Sequence, residues 1–164
     1  MAERPERRTL VLLRHAKSDW STGEPDLHRP LAERGRRQAP RAGRWLAANL
    51  DAIDLAVVSP ATRARQTWEL AAAELGNPPA VRVDERAYAA DEEELLALVR
   101  GLDAELGVVA LVAHNPGLED LASLLAGEWV AMKTSALAVF TLSGSWADAG
   151  PERATLLASG RPPA

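Results

Sequence analysis

Three strand-like runs in this chain end in residues that could grip and attack a phosphoryl group. Leu10-Val11-Leu12-Leu13 delivers Arg14 and His15, Val108 to Ala113 delivers His114, and Leu55 to Val58 leads into Ser59-Pro60-Ala61-Thr62-Arg63. Open α/β sheets assemble their sites beyond the carboxyl ends of strands. Two imidazoles and two guanidiniums at such an edge offer a nucleophile together with planar forks for phosphoryl oxygens. The guanidiniums disfavour the imidazolium form, so they also keep His15 neutral and able to attack. A phosphoryl transition state spreads charge over three oxygens, and positioned cations and N–H donors stabilise it without a metal.

The surrounding pattern supplies elements to hold these residues. Leu31, Ala39, Ala42, Leu46 and Leu50 recur at helical spacing, with Pro40 expected to kink or split the helix. Ser59 before Pro60 reads as an N-cap for a second helix running to Gly76, with Arg63 in its first turn. Val81 to Val83 reads as a short strand and Asp91 to Leu102 as a helix with acidic residues at its start, where the macrodipole favours them. Ala136 to Leu142 and Ala154 to Ala158 follow one another as strands without an intervening helix. The expected fold class is α/β: a single-domain, three-layer α/β/α sandwich whose central sheet is mostly parallel with an antiparallel edge. Residues 1–8 and 160–164 are expected to be flexible ends around a domain spanning 9–159.

Composition narrows the chemistry. The 164 residues contain no cysteine, which removes disulfides, thiolate-ligated metals and cysteine nucleophiles. Net charge is −4, and 4 % aromatic residues provide no basic stripe with interleaved stacking groups, so nucleic acid is not an expected partner. Arg34, Arg36, Arg37, Arg41 and Arg44 read as a solvated helix face. No run is long and apolar enough for a membrane span or signal peptide, which makes the cytoplasm the default location; oligomeric state is open from the sequence, with a monomer as the default.

Four segments carry a family resemblance: Leu-Arg-His-Ala-Lys-Ser-Asp-Trp (13–20), Arg-Pro-Leu-Ala-Glu-Arg-Gly (29–35), Ser-Pro-Ala-Thr-Arg-Ala-Arg-Gln-Thr (59–67) and Val-Ala-His-Asn-Pro-Gly-Leu-Glu (112–119). In order and spacing they resemble the histidine phosphatase superfamily, phosphoglycerate mutase-like in fold, and most closely its small phosphohistidine phosphatases of the SixA type. The resemblance implies that His15 accepts the phosphoryl group while Arg14, Arg63 and His114 hold its oxygens, with no cofactor and no metal. It also marks Ser18 and Ser21 as phosphate-contacting positions and Glu85 as the position of a proton-donating glutamate, with three roles open to it here: general acid, water-positioning base for the second half-reaction, or plain loop carboxylate. Ala16 departs from the wider family's Arg-His-Gly and reads as a subgroup marker.

Substrate size follows from what the chain lacks. A turn and one helix account for the residues between Arg86 and Val109, and Ser21 to Pro30 is similarly short, so no inserted lid is available. An open site suits a phosphorylated protein, while also admitting small phosphoesters. The expected activity is a metal-independent phosphohydrolase working through a phosphohistidine on His15. A small-molecule phosphatase or phosphomutase, a noncatalytic phosphate-binding module and a metal hydrolase built on His15 and His114 are the alternatives; no paired-histidine helix motif supports the last.

Overall fold

The structure is a computed structural model and describes residues Glu6 to Pro163. Six strands form one sheet in the order β3-β2-β4-β1-β5-β6. They are β1 (Arg7–Arg14), β2 (Leu55–Val58), β3 (Ala80–Val83), β4 (Val108–Ala113), β5 (Leu137–Ser143) and β6 (Ala154–Gly160). β1, β2, β3 and β4 run parallel, whereas β5 pairs antiparallel with both β1 and β6. The expected mostly parallel sheet with an antiparallel edge is therefore the fold observed.

Side-chain alternation along the central strands builds the layers. On one face Val11, Leu13, Ala56, Val58, Ala110 and Val112 pack against α1 (Glu33–Asn49) and α2 (Thr62–Ala72) through Ala42, Leu46, Ala64 and Trp68. On the other face Leu10, Leu12, Val109 and Leu111 meet α3 (Glu92–Arg100) and α4 (Gly117–Ala126) through Leu95, Val99, Leu118 and Leu121. Because both faces are covered, the inner strands are apolar along their whole length rather than alternating.

Several local expectations are corrected. Helix α1 runs unbroken through Pro40, and its Ala39, Ala42, Gly43 and Leu46 are all buried; that packing outweighs the single backbone hydrogen bond a proline removes. Helix α2 begins at Thr62, with Ala61 rather than Ser59 at its N-cap, and ends at Ala72, short of Gly76. Helix α4 is not among the expected elements. The acidic start of α3 is a capping box: Asp91 accepts from Glu94 N at 2.8 Å while Glu94 accepts from Asp91 N at 3.3 Å.

The domain is also wider than 9–159. Arg7 and Arg8 pair with Ser143 and Leu142 in the sheet, and the buried Arg8 guanidinium donates to Gly144 O and to Ala104 O. Gly160 pairs with Leu137, and Arg161 donates to Thr134 O at 2.8 Å, which ties down the tail. The expectation of flexible ends at residues 1–5 and 164 falls outside the described residues.

Helices α1 and α2 touch at Gly43, where an added Cβ would lie 2.1 Å from Ala71 O. The obstruction is backbone, so it cannot rotate away. Gly43→Ala is therefore expected to destabilise the protein by about 1–3 kcal/mol despite alanine's better helix propensity. A lowered urea midpoint would show this, and an unchanged or raised midpoint would mean that the helices can separate.

Candidate active site

The site lies where adjacent parallel strands send their following helices to opposite faces of the sheet. β1 leads to α1 on one face and its neighbour β4 leads to α4 on the other, the topological switch at which such sheets open a crevice. Arg14 pairs with Ala113, so His15 and His114 emerge side by side, their ring centroids 5.1 Å apart. β2 flanks β4 on its other side and brings Ser59 and α2 to the same edge.

A cleft of about 210 Å³ at this edge is lined by His15, Arg14, Arg63 and His114 among others. His15 Nδ1 lies 2.8 Å from Ala16 O. A carbonyl only accepts, so Nδ1 carries the proton and Nε2 keeps its lone pair. Among the described residues Nε2 has no hydrogen-bond partner, and it is not sealed from the cleft. Burial pushes the His15 pKa down to about 4, the Ala16 carbonyl opposes this, and Arg63, Arg14 and Arg29 push it down further. Burial, the neighbouring His15 and Arg63 likewise hold His114 at about 3. Both imidazoles are neutral at physiological pH.

The arginines are held from outside the cleft. Arg14 Nη1 donates to Met132 O at 3.2 Å, a carbonyl that also accepts from Asn115 Nδ2 at 2.8 Å. Arg63 donates to the backbone O of Asp26 at 2.7 Å and to its Oδ2 at 3.1 Å. Asp26 also accepts from Tyr88 OH at 2.6 Å and pairs with Arg29 at 3.0 Å, so one carboxylate orients two guanidiniums and a phenol. The Tyr88 hydrogen bond, followed by those arginines, lowers the Asp26 pKa to about 2 against the opposing effect of partial burial.

The sequence-derived candidates divide cleanly. Arg14, His15, Arg63 and His114 come together as expected. Ser18 joins them, buried and accepting from Arg29 Nη1 at 2.6 Å. Ser21 does not line the cleft; its exposed hydroxyl donates to Asp19 at 2.6 Å. Glu85 is also outside it, exposed at the start of a short 3-10 turn (Glu85–Ala87). Ser59, expected as a helix cap, instead places Oγ 2.7 Å from His114 Nε2 and orients that ring.

Residues not singled out beforehand complete the site. Arg29 is buried, lines the cleft and stacks over the exposed Trp20, its guanidinium carbon 3.5 Å from the ring centroid. Asp26 and Tyr88 anchor the arginines, and Thr67 Oγ1 accepts from Ala16 N at 2.9 Å, fixing the turn after His15. The signal available in sequence for Arg29 was its place at the head of the Arg-Pro-Leu-Ala-Glu-Arg-Gly segment, 29–35, one of the four that carry the family resemblance. Among the described residues no group of three or more His, Asp or Glu side chains is placed to hold a metal ion.

Comparison with known proteins agrees with this geometry. Residues 10–92 match the histidine phosphatase superfamily (branch 1). An uncharacterised protein of Mycobacterium tuberculosis is 38 % identical over 156 residues, covering 88 % of this chain and 96 % of that protein. The SixA protein of Nakamurella multipartitia superposes with a TM-score of 0.85 at 30 % identity, over 99 % of this chain and 100 % of that one. A SixA protein from Agrobacterium tumefaciens gives 0.81 at 29 % identity, over 94 % and 98 %. The chain belongs to the histidine phosphatase superfamily and is a phosphatase. Within that superfamily it is of the small SixA type.

The depressed imidazole pKa values have a signed consequence. Between about pH 6.5 and pH 4 the unfolded chain protonates both imidazoles while the fold does not, so stability falls as pH falls through that window. Asp26 adds loss of the same sign only lower, between 3.8 and about 2. Urea midpoints measured from pH 7 to pH 4 should decline, and the decline should be shallower in His114→Gln. A flat profile in the wild type would contradict neutral buried imidazoles.

Proposed function

We propose that this phosphatase hydrolyses phosphohistidine on a protein by way of a covalent phosphohistidine at His15. The observation that carries the reading is the His15 Nδ1–H bond to Ala16 O, which leaves Nε2 unprotonated and open to a cleft lined by Arg14, Arg63 and Arg29. His15 Nε2 attacks phosphorus while the bond to the leaving group breaks. The guanidiniums take the charge on the equatorial oxygens, beside the neutral His114 ring that Ser59 holds in place. Water then attacks the same phosphorus and the P–Nε2 bond breaks, its electron pair returning to Nε2; phosphate departs with the water's protons and neutral His15, still protonated at Nδ1, is restored.

Two features support a phosphohistidine leaving group. No carboxylate among the described residues lines the cleft: Asp26, which pairs with Arg63 and Arg29, is held at a pKa of about 2 and so carries no proton to donate, and Glu85 does not reach the cleft. An alkoxide leaves poorly without a proton donor, whereas an imidazole is a far better leaving group. Second, the chain between Arg86 and β4 forms only α3, which packs on the sheet and α4 rather than over the cleft. A protein surface can approach such a site. The SixA proteins from Nakamurella multipartitia and Agrobacterium tumefaciens bear the name phosphohistidine phosphatase, in keeping with this reading. A small phosphoester substrate is the second reading, since the 2,3-bisphosphoglycerate-dependent phosphoglycerate mutase of Beijerinckia indica is 42 % identical over 87 residues, 40 % of its length.

The test compares wild type and His15→Ala, in chelator, on a histidine-phosphorylated carrier protein and on an aryl phosphate. Wild type should clear the phosphohistidine much the faster and the variant should clear neither. Arg63→Ala should lose about 10²–10³ in kcat, the scale for removing one transition-state donor. Hydrolysis of the aryl phosphate with no action on phosphohistidine would overturn the substrate, and activity in His15→Ala would overturn the mechanism.

A further inference from the structure

Beside the catalytic cleft lies a second, larger cavity of about 480 Å³ whose lining includes Arg41, Lys133 and Arg161 and no carboxylate. None of the three belongs to an ion pair among the described residues, although the protein as a whole is acidic at −4. The three side chains give this concavity a positive lining that no carboxylate in the lining offsets, which favours an anionic occupant. The cavity adjoins the catalytic cleft. Lys133 and Ala136 line the second cavity while Thr134, between them, lines the first. Arg161 donates to Thr134 O at 2.8 Å and Thr134 Oγ1 at 3.1 Å, and its charge is close enough to Arg14 to lower that group's pKa.

We propose that the cavity formed by Arg41, Lys133 and Arg161 is a docking subsite for an acidic segment of the phosphoprotein, flanking the residue whose phosphoryl group enters the His15 cleft. This rests on the phosphoprotein reading above and deepens it by naming the sequence context the enzyme selects. The cavity has more than twice the volume of the catalytic cleft, which suits several residues of an extended chain. Three cations match the repeated carboxylates of an Asp/Glu-rich stretch, and the exposed Pro163 supplies an apolar edge against which methylene groups can rest. The same cations contribute to steering, an effect that falls with salt.

The experiment uses the full chain and the charge-reversed variant Arg41→Glu/Lys133→Glu, which leaves the residues around His15 untouched. Two synthetic phosphohistidine peptides are compared, one flanked by aspartates and glutamates and one by serines and glycines, with an aryl phosphate as control. Wild type should favour the acidic peptide about tenfold in kcat/KM at low salt. The preference should vanish in the variant and in high salt, while aryl phosphate turnover stays within about twofold, showing that the variant is folded. Equal rates on the two peptides, or a preference that survives charge reversal, would overturn the proposal.

A second measurement separates this inference from the functional reading. Unphosphorylated acidic peptide is titrated into isotope-labelled protein and amide resonances are followed. Shifts confined to residues 131–136, 160–163 and Arg41, absent with the neutral peptide and in the variant, support the subsite whatever the enzyme hydrolyses. No shifts, or shifts elsewhere, overturn it. If wild type instead favours a small carboxylate-bearing phosphoester over a plain one and ignores peptide flanks, the cavity serves a metabolite and the docking proposal fails.

Discussion

The parallel ladder between β1 and β4 is the constraint on which the rest of this site depends. Its register sets Arg14 opposite Ala113, and the chain leaves each strand directly into a histidine. A strand advances about 3.3 Å per residue, so a two-residue slip would part the rings by roughly 7 Å. The register is secured from both sides: even-numbered and odd-numbered residues of β1 are buried in different apolar layers, and a one-residue slip would exchange them. The two helical layers are therefore a condition of the chemistry as much as of stability.

Concentrating cations beside neutral imidazoles in a partly dehydrated cleft carries an electrostatic cost, and the fold offsets it locally. Asp26 is the main counterion, a single exposed carboxylate shared by Arg63 and Arg29 and further held by Tyr88. Arg14 is held by a backbone carbonyl and feels Glu119, which in turn accepts from Met132 N at 2.8 Å. These partners lie behind or beside the guanidiniums. The imidazoles respond in the opposite sense, losing their protons because the same burial and positive charge disfavour the cationic form. The arginines that make the cleft positive thus also help to keep its imidazoles neutral.

The turn after His15 is built with equal economy of parts. Ala16 offers its carbonyl to His15 and its N–H to Thr67, while Lys17 N donates to Gln38 Oε1 at 3.0 Å. Ser18 bridges to Leu31, so the short excursion between them returns Arg29 to the cleft and Asp26 to the arginines behind it. Gly35 permits the closure, since a Cβ there would sit 2.1 Å from Lys17 O. Arg29 then reaches both Ser18 and Asp26, and its stacking on Trp20 sets the lip of the cleft.

Much of this was legible in the residues alone. The strands Leu55–Val58 and Val108–Ala113 have the bounds expected from their apolar runs, because a doubly covered strand announces itself as unbroken hydrophobicity. Arg14, His15, Arg63 and His114 were identifiable because each stands at a fixed short distance from such a run. What sequence could not supply were partnerships across long separations: Arg63 with Asp26 at 37 residues, Ser59 with His114 at 55, Ala16 with Thr67 at 51 and Tyr88 with Asp26 at 62. Ser59 next to a proline has the local appearance of a helix cap, and only the approach of β4 to β2 gives its hydroxyl another partner. Glu85 has the appearance of an acid, yet the turn that holds it does not bring it to the cleft. Periodicity and short motifs are local properties that the chain carries wherever it goes, so sequence by itself determined most of the strands and helices, though not α4, and placed Arg14, His15, Arg63 and His114 at the ends of their elements. Which donor meets which acceptor depends on the distances between elements, and those were decided only by the packing of helices onto the sheet.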